Sequence, residues 1–145
     1  MSHAWILVAD SSRARIFEAK NAIGPLTEIE DLMNPESRMH EQNLTSDLPG
    51  RAYDSHGSNR HAMEEKTSAK DHEAENFAKL INRHLEKLRT KGMLKKLVVA
   101  AAPSFLGVLR KKLNANMTKL ISTEIDKNLV QLDILDVRKH LPERI

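Results

Sequence analysis

The chain holds no cysteine, five glycines, five prolines, and as aromatics only one Trp, one Tyr and three Phe among 145 residues. Without thiols it forms neither disulfides nor thiolate-ligated metal centres. With so few rings, its core must rest on Leu, Ile, Val and Ala. No apolar run approaches the ~18 residues of a membrane span. The apolar start Trp5-Ile-Leu-Val-Ala is closed by Asp10 and has no basic residue before it, so no secretory leader is expected and the cytoplasm is the expected compartment. Gly-x-x-x-x-Gly-Lys and Gly-x-Ser-x-Gly are both missing, which excludes a P-loop and a nucleophile elbow, and no cofactor is expected.

What is present is ordinary for one soluble domain spanning 1–145: 40% hydrophobic and 30% charged residues, a formal charge of +3 and a pI near 9.2. A mildly basic balance permits contact with nucleic acid or an acidic partner without requiring it. Trp5-Ile-Leu-Val-Ala reads as a strand buried on both faces. The turn Asp10-Ser-Ser leads to a second strand, Ala14-Arg-Ile-Phe-Glu-Ala, and the short connection makes the pair an antiparallel hairpin. Leu26-Thr-Glu-Ile-Glu-Asp-Leu-Met alternates as a third strand, ended by Asn34-Pro35. Ser68-Ala-Lys-Asp71 has capping-box spacing, and a helix to about Lys91 places Ala74, Phe77, Ala78, Ile81, Leu85 and Leu88 on one face, with Gly92 as its stop. Lys87, Arg89 and Lys91 suit the negative end of its dipole. Then come a buried strand, Leu97-Val-Val-Ala-Ala-Ala, a short helix capped by Ser104, a strand over 120–126, and a final helix over 132–140 with Leu135 inward. The order predicts an α/β fold: a mixed β-sheet with helices packed on it, its β-α-β units parallel and right-handed.

Between the third strand and the main helix, residues 34–68 are a long polar stretch expected to be a flexible loop. It carries His40, His56 and His61, Arg38, Arg51 and Arg60, Tyr53, Gly50 and Gly57. His56 and His61, with Glu64, Glu65, Asp71 and His72 beyond, match no zinc spacing, and no metal site is expected. Glu28 and Glu30 have same-face strand spacing, which reads as a solvated sheet face rather than an acid/base dyad. Phosphate contact suits the cations better. Arg13 and Arg15 share one face of the second strand, and Arg110, Lys111 and Lys112 end the short helix. With Arg51 and Arg60 they make a candidate surface for an RNA backbone, where Tyr53 is the one loop aromatic available for stacking.

Several motifs in fixed order carry a resemblance across nearly the whole chain: Trp5-Ile-Leu-Val-Ala-Asp-Ser-Ser-Arg-Ala-Arg-Ile-Phe; Gly50-Arg-Ala-Tyr-Asp-Ser-His-Gly with Arg60-His-Ala-Met-Glu; Asp71-His-Glu with Phe77; Leu97-Val-Val-Ala-Ala-Ala-Pro-Ser-Phe-Leu-Gly-Val-Leu-Arg; and Ile125-Asp-Lys-Asn-Leu. Together they resemble the bacterial host-attachment protein family. That family is in turn similar to the middle domain of archaeal and eukaryotic class 1 peptide-release factors, which implies a ribonuclease H-like mixed sheet. In those factors, the loop between the third strand and the long helix carries the Gly-Gly-Gln that acts on peptidyl-tRNA. This chain departs there: it has no Gly-Gly-Gln, and its nearest imitation is Gly57-Ser58-Asn59. The resemblance implies a ribosome, tRNA or RNA partner.

Three functions follow as expectations. The first is an RNA- or ribosome-associated module with a mobile basic loop, more a binder than an enzyme. The second is an attachment-related protein acting through contact with another protein. The third is a peptidyl-tRNA or RNA hydrolase, with His56, Asn59 and His61 as candidate water-positioning groups. Sequence leaves the partner's identity and the oligomeric state open.

Overall fold

A computed structural model describes residues 3–36 and 59–145, with side chains described from residue 69 onward in the second stretch. The strands are β1 (Ala4–Ala9), β2 (Arg13–Ala19), β3 (Leu26–Met33), β4 (Leu97–Ala101) and β5 (Ile121–Ile125). The helices are α1 (Asn59–Thr90), α2 (Pro103–Lys112), α3 (Ala115–Thr118) and α4 (Ile134–His140). One sheet runs in the order β3-β2-β1-β4-β5. The pairs β1–β2 and β2–β3 are antiparallel, whereas β1–β4 and β4–β5 are parallel. This is the mixed α/β sheet that the element order implies.

Every residue of β1 and β4 is buried, as expected of central strands covered on both faces. Alternation divides the core in two. Trp5, Leu7 and Val99 point to a layer made by Phe77, Ile81 and Leu85 of α1, by Phe105 and Leu109 of α2, and by Met117 of α3. The single Trp satisfies its indole by donating Nε1–H to the Met93 carbonyl at 3.1 Å. Ile6, Val8, Phe17 and Val98 point the other way, to Leu129, Val130, Val137, Leu141 and Ile145 of the C-terminal segment. Arg138 fastens that cover, donating to the carbonyls of Ala22, Gly24, Pro142 and Glu143.

Several expectations change in detail. α1 begins at Asn59, so Ser68 lies within it rather than capping it. Its end is as expected: Gly92 has φ +76°, and Gly92 and Met93 donate back to the carbonyls of Arg89 and Leu88. This is a Schellman closure, which glycine adopts without strain. α2 is entered by Pro103 at its first turn with Ala102 as the flanking residue, and no side chain caps it, so Ser104 is helical instead of capping. Asn114 breaks α2 by starting α3, accepting the Met117 N–H on its side-chain oxygen. In α4, Asp133 caps the start and Val137 is the buried residue, while Leu135 is 66% exposed and does not point inward.

The pairing of β3 with β2 slips between Ile16 and Phe17: Ile16 opposes Glu30, and Phe17 opposes Glu28. Ile29 is the extra residue of this bulge, and it corrects the reading of Glu28 and Glu30. They lie on opposite faces. Glu28 reaches Arg15 on the C-terminal side, and Glu30 reaches His84 of α1 at 3.1 Å.

Candidate nucleic-acid interface

The strand arginines do share one face, but it is an occupied one. Arg15 is 6% exposed. Its guanidinium donates to Glu28 at 2.8 and 3.3 Å and to the carbonyls of Val130 and Leu132 at 2.9 and 2.5 Å, lying 5.0 Å over the Phe17 ring. It therefore clamps β2 to the C-terminal cover. Arg13 is half-buried in a two-point pair with Asp31, at 2.9 and 2.5 Å. That hydrogen bond raises the Arg13 pKa and holds the Asp31 carboxyl below its ordinary value. Phosphate would have to displace a carboxylate at either position.

At the end of α2 the three cations differ. Arg110 is exposed and paired with Glu124 at 2.7 Å, which raises its pKa. Lys112 is half-buried with its ammonium 3.7 Å from Glu75 of α1. Lys111 is exposed and, with the exposed Lys119 after α3, has no described carboxylate partner. Arg51, Tyr53 and His56 lie outside the described residues. The side chains of Asn59, Arg60 and His61 are also outside them, although their backbone opens α1.

Asp10 ends the central strand but is tied into the β1–β2 turn. Oδ1 accepts from the Ser12 N–H and hydroxyl and from the Arg13 N–H, each at 2.9 Å, while Oδ2 accepts from Asn128 at 3.1 Å. A cleft of about 200 Å³ opens beside it, lined by Ser11, Lys70, Asp71 and Ser104. Among the described residues neither serine hydroxyl meets a base that could activate it. No group of three or more described His, Asp or Glu side chains could hold a metal ion.

The cations that sequence reasoning did not read as phosphate contacts lie on α1. From Asn76 to Thr90 it carries four Lys and Arg against one Glu, and that Glu86 is already bonded to Arg89 and Asn114. The hydrogen bond from Asn114, then that from Arg89, hold its carboxyl below the ordinary range. Lys79, Arg83 and Lys87 are exposed, four residues apart, and have no described carboxylate partner. Their signal was the excess itself, visible as a helix face once the buried positions Phe77, Ile81 and Leu85 were set aside.

Fold and surface define a mixed α/β domain whose long helix turns outward a cationic face that no described carboxylate neutralises. The chain belongs to the family described as "Protein required for attachment to host cells", whose model matches residues 5–141. It is 36% identical over 74 residues to the uncharacterized protein RP470 of Rickettsia prowazekii (strain Madrid E), covering 50% of this chain and 49% of that one. Among solved structures it is similar to an archaeal translation termination factor, aRF1, at 15% identity and TM-score 0.49, covering 97% of this chain and 35% of that one. The chain thus spans about half the length of the curated relative and about a third of the termination factor. No helix among the described residues is long and apolar enough to cross a membrane.

Proposed function

We propose that this protein is a cytoplasmic RNA-associated module, with the ribosome as its first partner to test. The observation that carries this reading is the state of the surface charges. Around the α2–α3 corner Glu124 is taken by Arg110 and Glu75 by Lys112, while Lys111 and Lys119 stay exposed without a described carboxylate partner. Cations left free in this way are available to phosphate and release its counterions on contact. The deciding experiment is co-sedimentation of the tagged protein with ribosomes from a lysate at low and high salt. Pelleting that weakens as salt rises is expected; a protein that stays in the supernatant at both salts rules the ribosome out.

The family's description favours a second reading, attachment through contact with another protein. A tagged copy recovered outside the cytosol would favour it over the first.

A further inference from the structure

We infer that the solvent face of α1 is the RNA-docking surface, with Lys79, Arg83 and Lys87 as a row of phosphate contacts. This deepens the RNA-associated reading and rests on it. At 3.6 residues per turn the three positions lie on the side of the helix away from Phe77, Ile81 and Leu85. A spacing of four residues rises about 6 Å along the axis, so the row is straight and about 12 Å long.

Among the described residues, four neighbouring acids are already engaged. On one flank Lys112 lies beside Glu75, and Asn114 bonds Glu86; on the other His84 meets Glu30, and Asn76 donates to Glu36 at 3.1 Å. Like charges four residues apart on a helix repel one another, and here they do so twice, Lys79 with Arg83 and Arg83 with Lys87. An anionic partner laid along the row relieves both repulsions. That partner is a polyanion rather than an acidic protein. Protein interfaces are centred on apolar anchors, and none of the exposed large hydrophobic residues described lies on α1. Beside the row, a cleft of about 360 Å³ lined by Pro35, Leu80, Lys79 and Arg83, and by Glu36 with its carboxylate bonded to Asn76, gives a bound strand a side to lean on.

The test is the triple variant Lys79→Gln, Arg83→Gln, Lys87→Gln, since Gln keeps helix propensity. The control is Lys20→Gln, Lys139→Gln, Arg144→Gln, which removes the same charge from exposed sites outside α1. Binding of a labelled single-stranded RNA 20-mer of mixed sequence is followed across a salt series, alongside polyglutamate of similar charge. The expected result is that the control binds as wild type, while the triple variant weakens about tenfold or more at low salt and its log–log salt slope falls by about 2. Its melting temperature should change little, because the repulsion removed is set against the lost attraction of Lys87 for the helix dipole.

Equal loss in both variants would mean diffuse net charge and overturn the docking surface. Unchanged binding in the triple variant would overturn it too, and leave the RNA reading standing. If polyglutamate binds as tightly as RNA and loses as much in the triple variant, the partner class is wrong. If wild type binds no RNA, the RNA reading itself fails, and the row with it.

Discussion

Arg15 shows what a residue's sequence position reveals and what it conceals. Strand alternation placed it correctly on one face with Arg13, but alternation says nothing about what covers that face. The cover is the Val130 and Leu132 carbonyls, more than a hundred residues along the chain. Arg15→Met would leave Glu28 without its guanidinium and two carbonyls without their donor. It should lower unfolding free energy by about 2–4 kcal/mol, read by urea denaturation. RNA affinity of the remaining folded protein should not change; a parallel loss of affinity would return Arg15 to the interface. Asp31 offers a second prediction at this scale. Its pKa is lowered in the fold by the Arg13 hydrogen bond, so the pair's contribution is present above the unfolded-state value near 3.8 and is lost as pH falls through the lowered folded value. Asp31→Asn should therefore flatten the acid side of the stability–pH curve while leaving its shape above pH 6 alone. An unchanged acid limb in thermal melts from pH 2 to 6 would show that the pair contributes nothing.

Element by element, the sequence was most legible where a backbone group demands a particular residue. Gly92 stops α1 because a left-handed turn is needed there, and the apolar runs of β1 and β4 are central because every position is covered. It was least legible at short helices. In α4 both Leu135 and Val137 are apolar, and seven residues are too few for periodicity to choose between them. The bulge at Ile29 was hidden because a register slip follows from pairing across strands, and spacing along one strand does not contain it. Asn114, read as a helix breaker, proves to be a junction: it caps α3, donates its N–H to the Asn82 side-chain oxygen at 3.2 Å, and donates its side-chain amide to Glu86 of α1. Asn114→Ala should cost about 1–2 kcal/mol, and Leu135→Ala less than about 0.5 kcal/mol, by chemical denaturation. The opposite ranking would contradict both assignments.

For the whole molecule, two apolar layers lie back to back on one sheet, and Trp5 reports from the layer beneath α1. Val137 sits in the other layer. Because the central strands contribute side chains to both, Val137→Ala should lower the melting midpoint seen by Trp5 fluorescence as much as that seen by far-UV circular dichroism. A Trp5 transition that stays in place while the dichroism moves would mean that the layers unfold separately. The class of fold was legible at this scale from element order alone. The interface was not, because whether a cation is free depends on which carboxylates the fold brings beside it. Arg13, Arg15 and Arg110 were each met by one, while Lys79, Arg83 and Lys87 met none among the described residues.

The parallel pairing of β1 with β4 joins Trp5 to Leu97. During synthesis the hairpins β1–β2–β3 can zip locally as they emerge, but the far edge of β1 has no neighbour until Ala101 has been made. While residues 10 to 101 are being made, the nascent chain therefore carries a wholly apolar strand with an open flank. At the usual 5–20 residues per second that interval lasts several seconds. The closing step joins distant parts of the chain, so its speed is governed by topology rather than by the strength of the contacts it makes.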